Sequence, residues 1–245
     1  TGSYGYNYQI EAIQVKILAK SENSPGSTKD LYREKDFGIS YSSYVQSKQW
    51  LDEVNNGEIS GTVGKGLGIT GINLKVSSNL LTGTVMYRSY VNNVGWQDYV
   101  SSGSVSGNET QDNKIGLIQI KLTEELAEKY NIYYRVHVSN IGWLDWASND
   151  QITGSYGYNY QIEAIQVKIL AKSEKSPGST KDIYRENKLY LTSTAYIGSS
   201  WQRPLLSGMT IGGEENKNLL EAINISIYNN TGVSGNLEYS SHIGG

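Results

Sequence analysis

Apolar and polar residues alternate in short runs along this chain. In IEAIQVKI (162–169), Ile165, Val167 and Ile169 share one face of an extended strand, and Gln166 and Lys168 take the other. YYRVHVS (133–139) and MYRSYVN (86–92) alternate in the same way. Clusters of Gly, Asn and Ser separate these runs, so the pattern predicts an all-β protein. One exception is TEELAEKY (123–130), which predicts one or two helical turns.

The runs recur with a period. With each key tryptophan as zero, Trp50 is followed at +7, +11 and +19 by Gly57, Gly61 and Ile69, Trp96 by Gly103, Gly107 and Ile115, Trp143 by Asp150, Gly154 and Ile162, and Trp201 by Gly208, Gly212 and Leu220. At +22, +24 and +26 each has an aliphatic triplet, beginning at Ile72, Ile118, Ile165 and Ile223. Tyr41, Tyr87, Tyr134 and Thr192 stand nine positions before. The Trp spacings are 46, 47 and 58. Four units are therefore legible, with half a unit before them (Gly2, Ile10, Ile13, Val15, Ile17) and the beginning of one after (LEYSSHIGG, 237–245). A chain that starts and stops in mid-repeat reads as a piece of a longer array. Units of this size cannot bury an apolar face alone and must pack on one another. Three units with pseudo-threefold, β-prism-like closure are expected, with a β-trefoil as the alternative.

A longer repeat overlies the shorter one. Residues 1–22 recur unchanged at 153–174, an offset of 152. The long Trp spacing arises from AKSEKSPGSTKDIYRENK, whose relative AKSENSPGSTKDLYREKD stands at 19–36. Pro, Gly, Ser and Thr with mixed charge read as a linker. The expected organisation is the end of a preceding repeat domain at 1–18, a linker at 19–37, a complete three-repeat domain at 38–170, a linker at 171–187 and part of a following domain at 188–245.

Composition narrows the function. A net charge of −3, with no basic cluster among the aromatics, gives no case for nucleic acid. The absence of cysteine excludes disulfides, thiolate metal sites and a cysteine nucleophile. No apolar run approaches the roughly 18 residues of a membrane span. No cofactor motif, nucleophile elbow, P-loop or zinc pattern occurs, so no catalytic or metal residue is assigned and no enzyme activity is expected.

The residues left to weigh are aromatic and acidic. Trp50, Trp96, Trp143 and Trp201 recur in every unit, which favours structural keystones over ligand platforms. Trp146 stands where the other units carry Glu53, Tyr99 and Pro204, so packing does not demand it, and an exposed turn indole suits a ligand. Asp52, Asp98 and Asp145 follow the Trp by two positions, a carboxylate beside an aromatic as sugar hydroxyls favour, or an Asx-turn residue. His137, opposite Val136 and Val138 in strand alternation, completes the ligand set of Trp146, Asp145, His137, Asp98, Tyr99 and Asp52.

YRVHVSNIGW (134–143) and YQIEAIQVKIL (160–170) resemble the clostridial hydrophobic repeat with its tryptophan, the ChW repeat. The triplet arrangement and the Pro-Gly-Ser-Thr linker are similar too. The family His falls at His137 and His242 but is Tyr44, Tyr90 and Ala195 elsewhere; the Glu falls at Glu11, Glu163 and Glu221 but is Thr70 and Gly116 elsewhere. The resemblance implies a non-catalytic extracellular module at the surface of a Gram-positive bacterium. Its expected partner is a glycan or cell-wall polymer. In the alternative, repeats meet other copies or surface proteins as building blocks of a surface layer, fibre or adhesin.

Overall fold

The computed structural model describes residues 2–4, 13–23, 32–34, 37–78, 80–109, 113–211 and 219–240. Among these residues the regular elements are nearly all strands, with one helix at Glu124–Lys129 in the predicted place. Glu124 and Glu125 lie at the positive end of that helix and Lys129 at the negative end, and Leu126 anchors it in the core.

Three units share one plan. A leading strand (Phe37–Val45, Val85–Val91, Tyr130–Val138) pairs antiparallel with a long strand (Ile69–Ser78, Ile115–Leu122, Ile162–Ala171). The tryptophan sits on a two-residue strand that folds back on the leading strand, so that Tyr44 faces Trp50, Tyr90 faces Trp96 and His137 faces Trp143. Each long strand slips register once, after its first residue. Val45 pairs with Ile69 but Tyr44 with Gly71, Val91 with Ile115 but Tyr90 with Leu117, and Val138 with Ile162 but His137 with Ala164. Thr70, Gly116 and Glu163 are the extra residues of these β-bulges.

The glycine-rich stretch supplies a short strand that leaves its own unit. Ile59–Gly61 of the first unit pairs with the long strand of the third, Val105–Gly107 of the second with that of the first, and Thr153–Tyr156 of the third with that of the second. The exchange runs round the three units in a cycle. Three separate sheets result, with no closed barrel among the described residues. The repeated glycine is required here. A Cβ on Gly61, Gly107 or Gly154 would lie 2.3, 2.2 and 2.2 Å from the bulge carbonyl of Glu163, Thr70 and Gly116. All three also have positive φ.

Two further contacts repeat at every junction. Tyr41, Tyr87 and Tyr134 are fully buried, and each reaches the long strand of a neighbouring unit. The Val167 N–H donates to the Tyr41 hydroxyl and the Leu74 N–H to that of Tyr87, both at 3.0 Å, while Tyr134 lies against the backbone of Ile120. Each hydroxyl also donates to a carbonyl after its own unit's turn, at Glu58, Ser104 and Gln151. Outside the core, the amides of Asn73, Gln119 and Gln166 donate to the carbonyls of Gly103, Asp150 and Gly57, at 2.8, 2.7 and 2.6 Å.

Inside this ring Ile72, Ile118 and Ile165 are at most 2% exposed, with Leu74, Ile120 and Val167 beside them in one continuous core. The equivalence expected of Ile223 holds for its place on a strand but not for its burial. Leu189–Ile197 and Leu220–Asn229 pair with the same bulge, at Glu221, yet Ile223 is 46% exposed. Ile13, Val15 and Ile17 match Ile165, Val167 and Ile169 in sequence and are 78%, 81% and 95% exposed. The same sequence is thus buried in one place and exposed in the other.

The fourth unit also corrects an alignment. A fixed offset from Trp201 puts Ala195 at the histidine position, but Tyr196 is the residue that pairs with Trp201 and with Ala222. The turn before this Trp is one residue shorter.

The stretch read as a linker contains structure. Tyr184–Glu186 runs parallel to Gly154–Tyr156, and Tyr32–Glu34 pairs in the same register with Gly2–Tyr4, again offset by 152. Tyr190, 7% exposed, then packs edge-on against Tyr156 and stacks on Tyr228 at 4.6 Å.

Gly154→Ala should cost about 3 kcal/mol, because backbone has to move. Gly142→Ala, also at positive φ but with nothing within 4 Å, should cost only the left-handed strain of about 1–2 kcal/mol. Denaturant melts of the pair read the difference, and equal losses would contradict the close strand approach.

Burial pushes the Tyr87 hydroxyl up to about 12, and raises Tyr41 and Tyr134 further. An unfolded tyrosine ionises near pH 10, so the unfolded chain loses these protons first. Stability is intact below that pH and falls as pH rises toward and through the folded values. In an alkaline titration, ionisation of these three tyrosines should coincide with loss of the strand circular-dichroism signal. Ionisation of all three with the sheets intact would contradict it.

Candidate functional site

The three junctions share a scaffold and differ in what the bulge presents. At the junction of the third unit with the first, the bulge residue is Glu163, its side chain 3% exposed. The Gly66 N–H donates to Glu163 Oε1 at 2.8 Å and the Gly64 N–H to Oε2 at 3.1 Å. The carboxylate thereby holds the Gly64–Gly66 turn of the first unit onto the third. Gln161 adds a second tie, its Nε2 donating to the Gly66 carbonyl at 2.7 Å.

His137 stands over this carboxylate, with Nδ1 3.0 Å from Glu163 Oε2. The buried nitrogen forms no hydrogen bond despite this approach. Protonation of the ring makes the contact an ion pair. The ring also meets the edge of Trp143, centroids 5.5 Å apart.

Beside them opens a cleft of about 430 Å³, lined by Gly64 and Gly66, by His137, Ser139 and Asn140, and by Asn159, Tyr160, Gln161 and Glu163. Asn140 and Asn159 hold positive φ at its rim, a conformation asparagine tolerates better than most residues. Tyr160 stacks on Tyr158 at 5.2 Å.

The other junctions are filled differently. Gly116 replaces the glutamate where Asn92 Oδ1 would lie 2.4 Å from any Cβ, and Asn92 Nδ2 donates to the Tyr160 carbonyl at 3.1 Å. Tyr156 packs edge-on against Tyr90, 5.5 Å away, in that junction. At the remaining junction the bulge residue is buried Thr70, and Trp50 Nε1 donates to Glu109 Oε1 at 2.7 Å.

The residues singled out from the sequence are scattered by the fold. Trp146 is corrected from an exposed platform to a buried side chain, 6% exposed. Gly178 lies across it, so that a Cβ there would be 3.0 Å from the indole, and the Arg135 guanidinium lies 4.8 Å from the ring centroid. Asp145 serves the same docking. Its Oδ2 accepts from Ser179 Oγ at 2.6 Å and from the Asp182 and Lys181 N–H groups at 2.9 and 3.2 Å. The Ser179 bond foremost, with the backbone donors, holds its carboxyl below the usual aspartate value. Turn residues thus bind the segment that follows the third unit.

Tyr99, where Trp146 would fall in the second unit, donates to Asp150 and lies under Arg88 and Lys121. Asp52 and Asp98 are exposed and away from the cleft. Of the expected ligand set only His137 lines the cleft; His242 lies outside the described residues. The keystone tryptophans are half-buried rather than core. Trp50, Trp96 and Trp143 meet Tyr44, Tyr90 and His137 edge-on, and Arg88 and Arg135 lie over Trp96 and Trp143. Trp201 is 54% exposed. The buried aromatic keystones are Tyr41, Tyr87 and Tyr134.

Sequence reasoning missed Glu163 and the Gly64–Gly66 turn as partners, since nothing local joins residues 97 to 99 apart. One signal was present: among the three complete units, only the third has both the histidine and the glutamate.

Among the described residues no group of three His, Asp or Glu is arranged to hold a metal, and no helix is long and apolar enough to cross a membrane. The family model for ChW, clostridial hydrophobic W, matches three times, at residues 44–78, 90–124 and 137–171. The chain belongs to this repeat family. Neither the curated proteins nor the solved structures contain a match.

Burial reverses the expected roles of two tryptophans. Trp146→Ala should destabilise the fold by roughly 3–5 kcal/mol, as large buried truncations do. Trp143→Ala, half-buried, should cost only about 1–3 kcal/mol. Thermal and denaturant melts of both variants check the order, and a larger loss for Trp143→Ala would contradict it.

Proposed function

We propose that this chain is a non-catalytic, extracellular binding module of the Gram-positive cell surface, with a glycan or cell-wall polymer as its ligand. ChW repeats occur in secreted and surface proteins. The observation that carries the binding reading is the cleft at the junction of the third and first units. It is open, polar and aromatic-rimmed, and it is built where two units meet, a common place for ligand sites. The reading without catalysis rests on the state of its ionisable pair. Both Glu163 oxygens already hold backbone N–H groups, which suits positioning better than proton transfer.

A second reading, a building block of a surface layer, fibre or adhesin, is favoured by a different observation. Ile13, Val15 and Ile17 and, on the fourth-unit strand Leu220–Asn229, Leu220, Ile223 and Ile227 are exposed apolar side chains. The purified chain incubated with isolated Gram-positive cell walls separates the two. Saturable capture on the walls, reduced by His137→Ala and not by surface substitutions elsewhere, is the expected result. Filaments from the chain alone, with no wall capture, would favour the second reading.

A further inference from the structure

The chemistry of the cleft narrows its ligand, on the reading just given. We infer that the cleft takes an uncharged saccharide unit and rejects the anionic wall polymers, those built on phosphate or uronate. Its volume of about 430 Å³ lies within the ~300–1,000 Å³ of small-molecule sites, enough for one or two sugar rings.

Charge comes first. No Lys or Arg lines the cleft. Its charged groups are Glu163 and, when protonated, His137, which face one another 3.0 Å apart. An anion entering there would lose hydration with no cation to replace it and would meet the field of a buried carboxylate. Lys65, between the two turn glycines, is exposed and not among the lining residues. A cation fares no better, because it would have to displace the Gly64 and Gly66 N–H groups from Glu163.

A neutral polyol meets neither obstacle. Asn140 and Asn159 are exposed at the rim, and neither side-chain amide has a hydrogen-bond partner among the described residues. Each offers donors and an acceptor side by side, which fits neighbouring sugar hydroxyls. Tyr160, which lines the cleft and stacks on Tyr158, adds aromatic surface for the apolar C–H face of a sugar ring. The other two junctions carry Gly116 with Asn92, and Thr70, in place of the glutamate, so the site occurs once in the three-unit body. Affinity on a surface would then come from linking such bodies.

The test uses the full chain on an array of neutral oligosaccharides alongside polyglycerol phosphate and polygalacturonate, followed by titration calorimetry of the neutral hits in low and high sodium chloride. Neutral oligosaccharides should bind with a dissociation constant that changes less than about twofold with salt, since no ion pair is screened. Asn140→Gly and Asn159→Gly keep the left-handed backbone and remove the amides; together they should weaken binding at least tenfold with an unchanged melting temperature. Lys65→Ala should leave binding as it is.

Binding confined to the two anionic polymers, lost in salt or in Lys65→Ala, would overturn this inference and leave the binding function standing. Neutral binding untouched by the paired asparagine variant would overturn the assignment to this cleft. No binding to any probe or to whole walls would overturn the binding function itself.

Discussion

Everything in this molecule depends on a glycine strand lying against a neighbour's bulge. Gly61, Gly107 and Gly154 each come so close to a bulge carbonyl that no side chain fits between. That approach brings each short strand onto the long strand of the preceding unit in the cycle, and each unit's apolar face is closed by the others. The buried tyrosines and the amide contacts of Asn73, Gln119 and Gln166 follow the same cycle. A single unit has no way to satisfy these groups. Ile13, Val15 and Ile17, identical in sequence to the buried Ile165, Val167 and Ile169, stay exposed where no such neighbours cover them.

The same constraint makes a site. A bulge turns one residue out of the ladder toward the loop that crosses it. Where that residue is glycine or threonine the junction closes over neighbouring side chains. Where it is Glu163, the carboxylate reaches the turn of the next unit, the histidine settles beside it, and a cleft opens alongside. A threefold framework that tolerates variation at the bulge can carry one site without disturbing the other two junctions. The tryptophan for which the family is named lies outside the core, one partner in an edge-on aromatic pair on the outer face.

Connections between bodies follow a related rule. The segment after the third unit is held by Asp145, covers Trp146 and adds a parallel strand to a sheet before Tyr190 packs on Tyr156. Polar composition reads as a tether because backbone hydrogen bonds leave no mark on composition. The unrepeated Trp146 is explained by this docking, since the first and second units have no such segment to cover it.

Much was legible in the sequence. Alternation by two identifies strands because side-chain direction is a local property of extended backbone. The Trp and Gly offsets marked the units, and the segment TEELAEKY (123–130) flagged the helix, since both are matters of residues along one segment. The pattern also brought out the tyrosines nine positions before Trp50, Trp96 and Trp143, though not their function. Tertiary structure alone decided the rest. Whether Ile223 or Ile165 is buried, whether Trp146 meets ligand or linker, and that Glu163 meets Gly64 and Gly66 all depend on contacts between residues far apart in the chain. Even the alignment of Tyr196 with His137 needed pairing, because a turn shortened by one residue changes spacing without changing the strand it serves. Local periodicity records which face a residue takes; only the folded neighbours determine what that face meets.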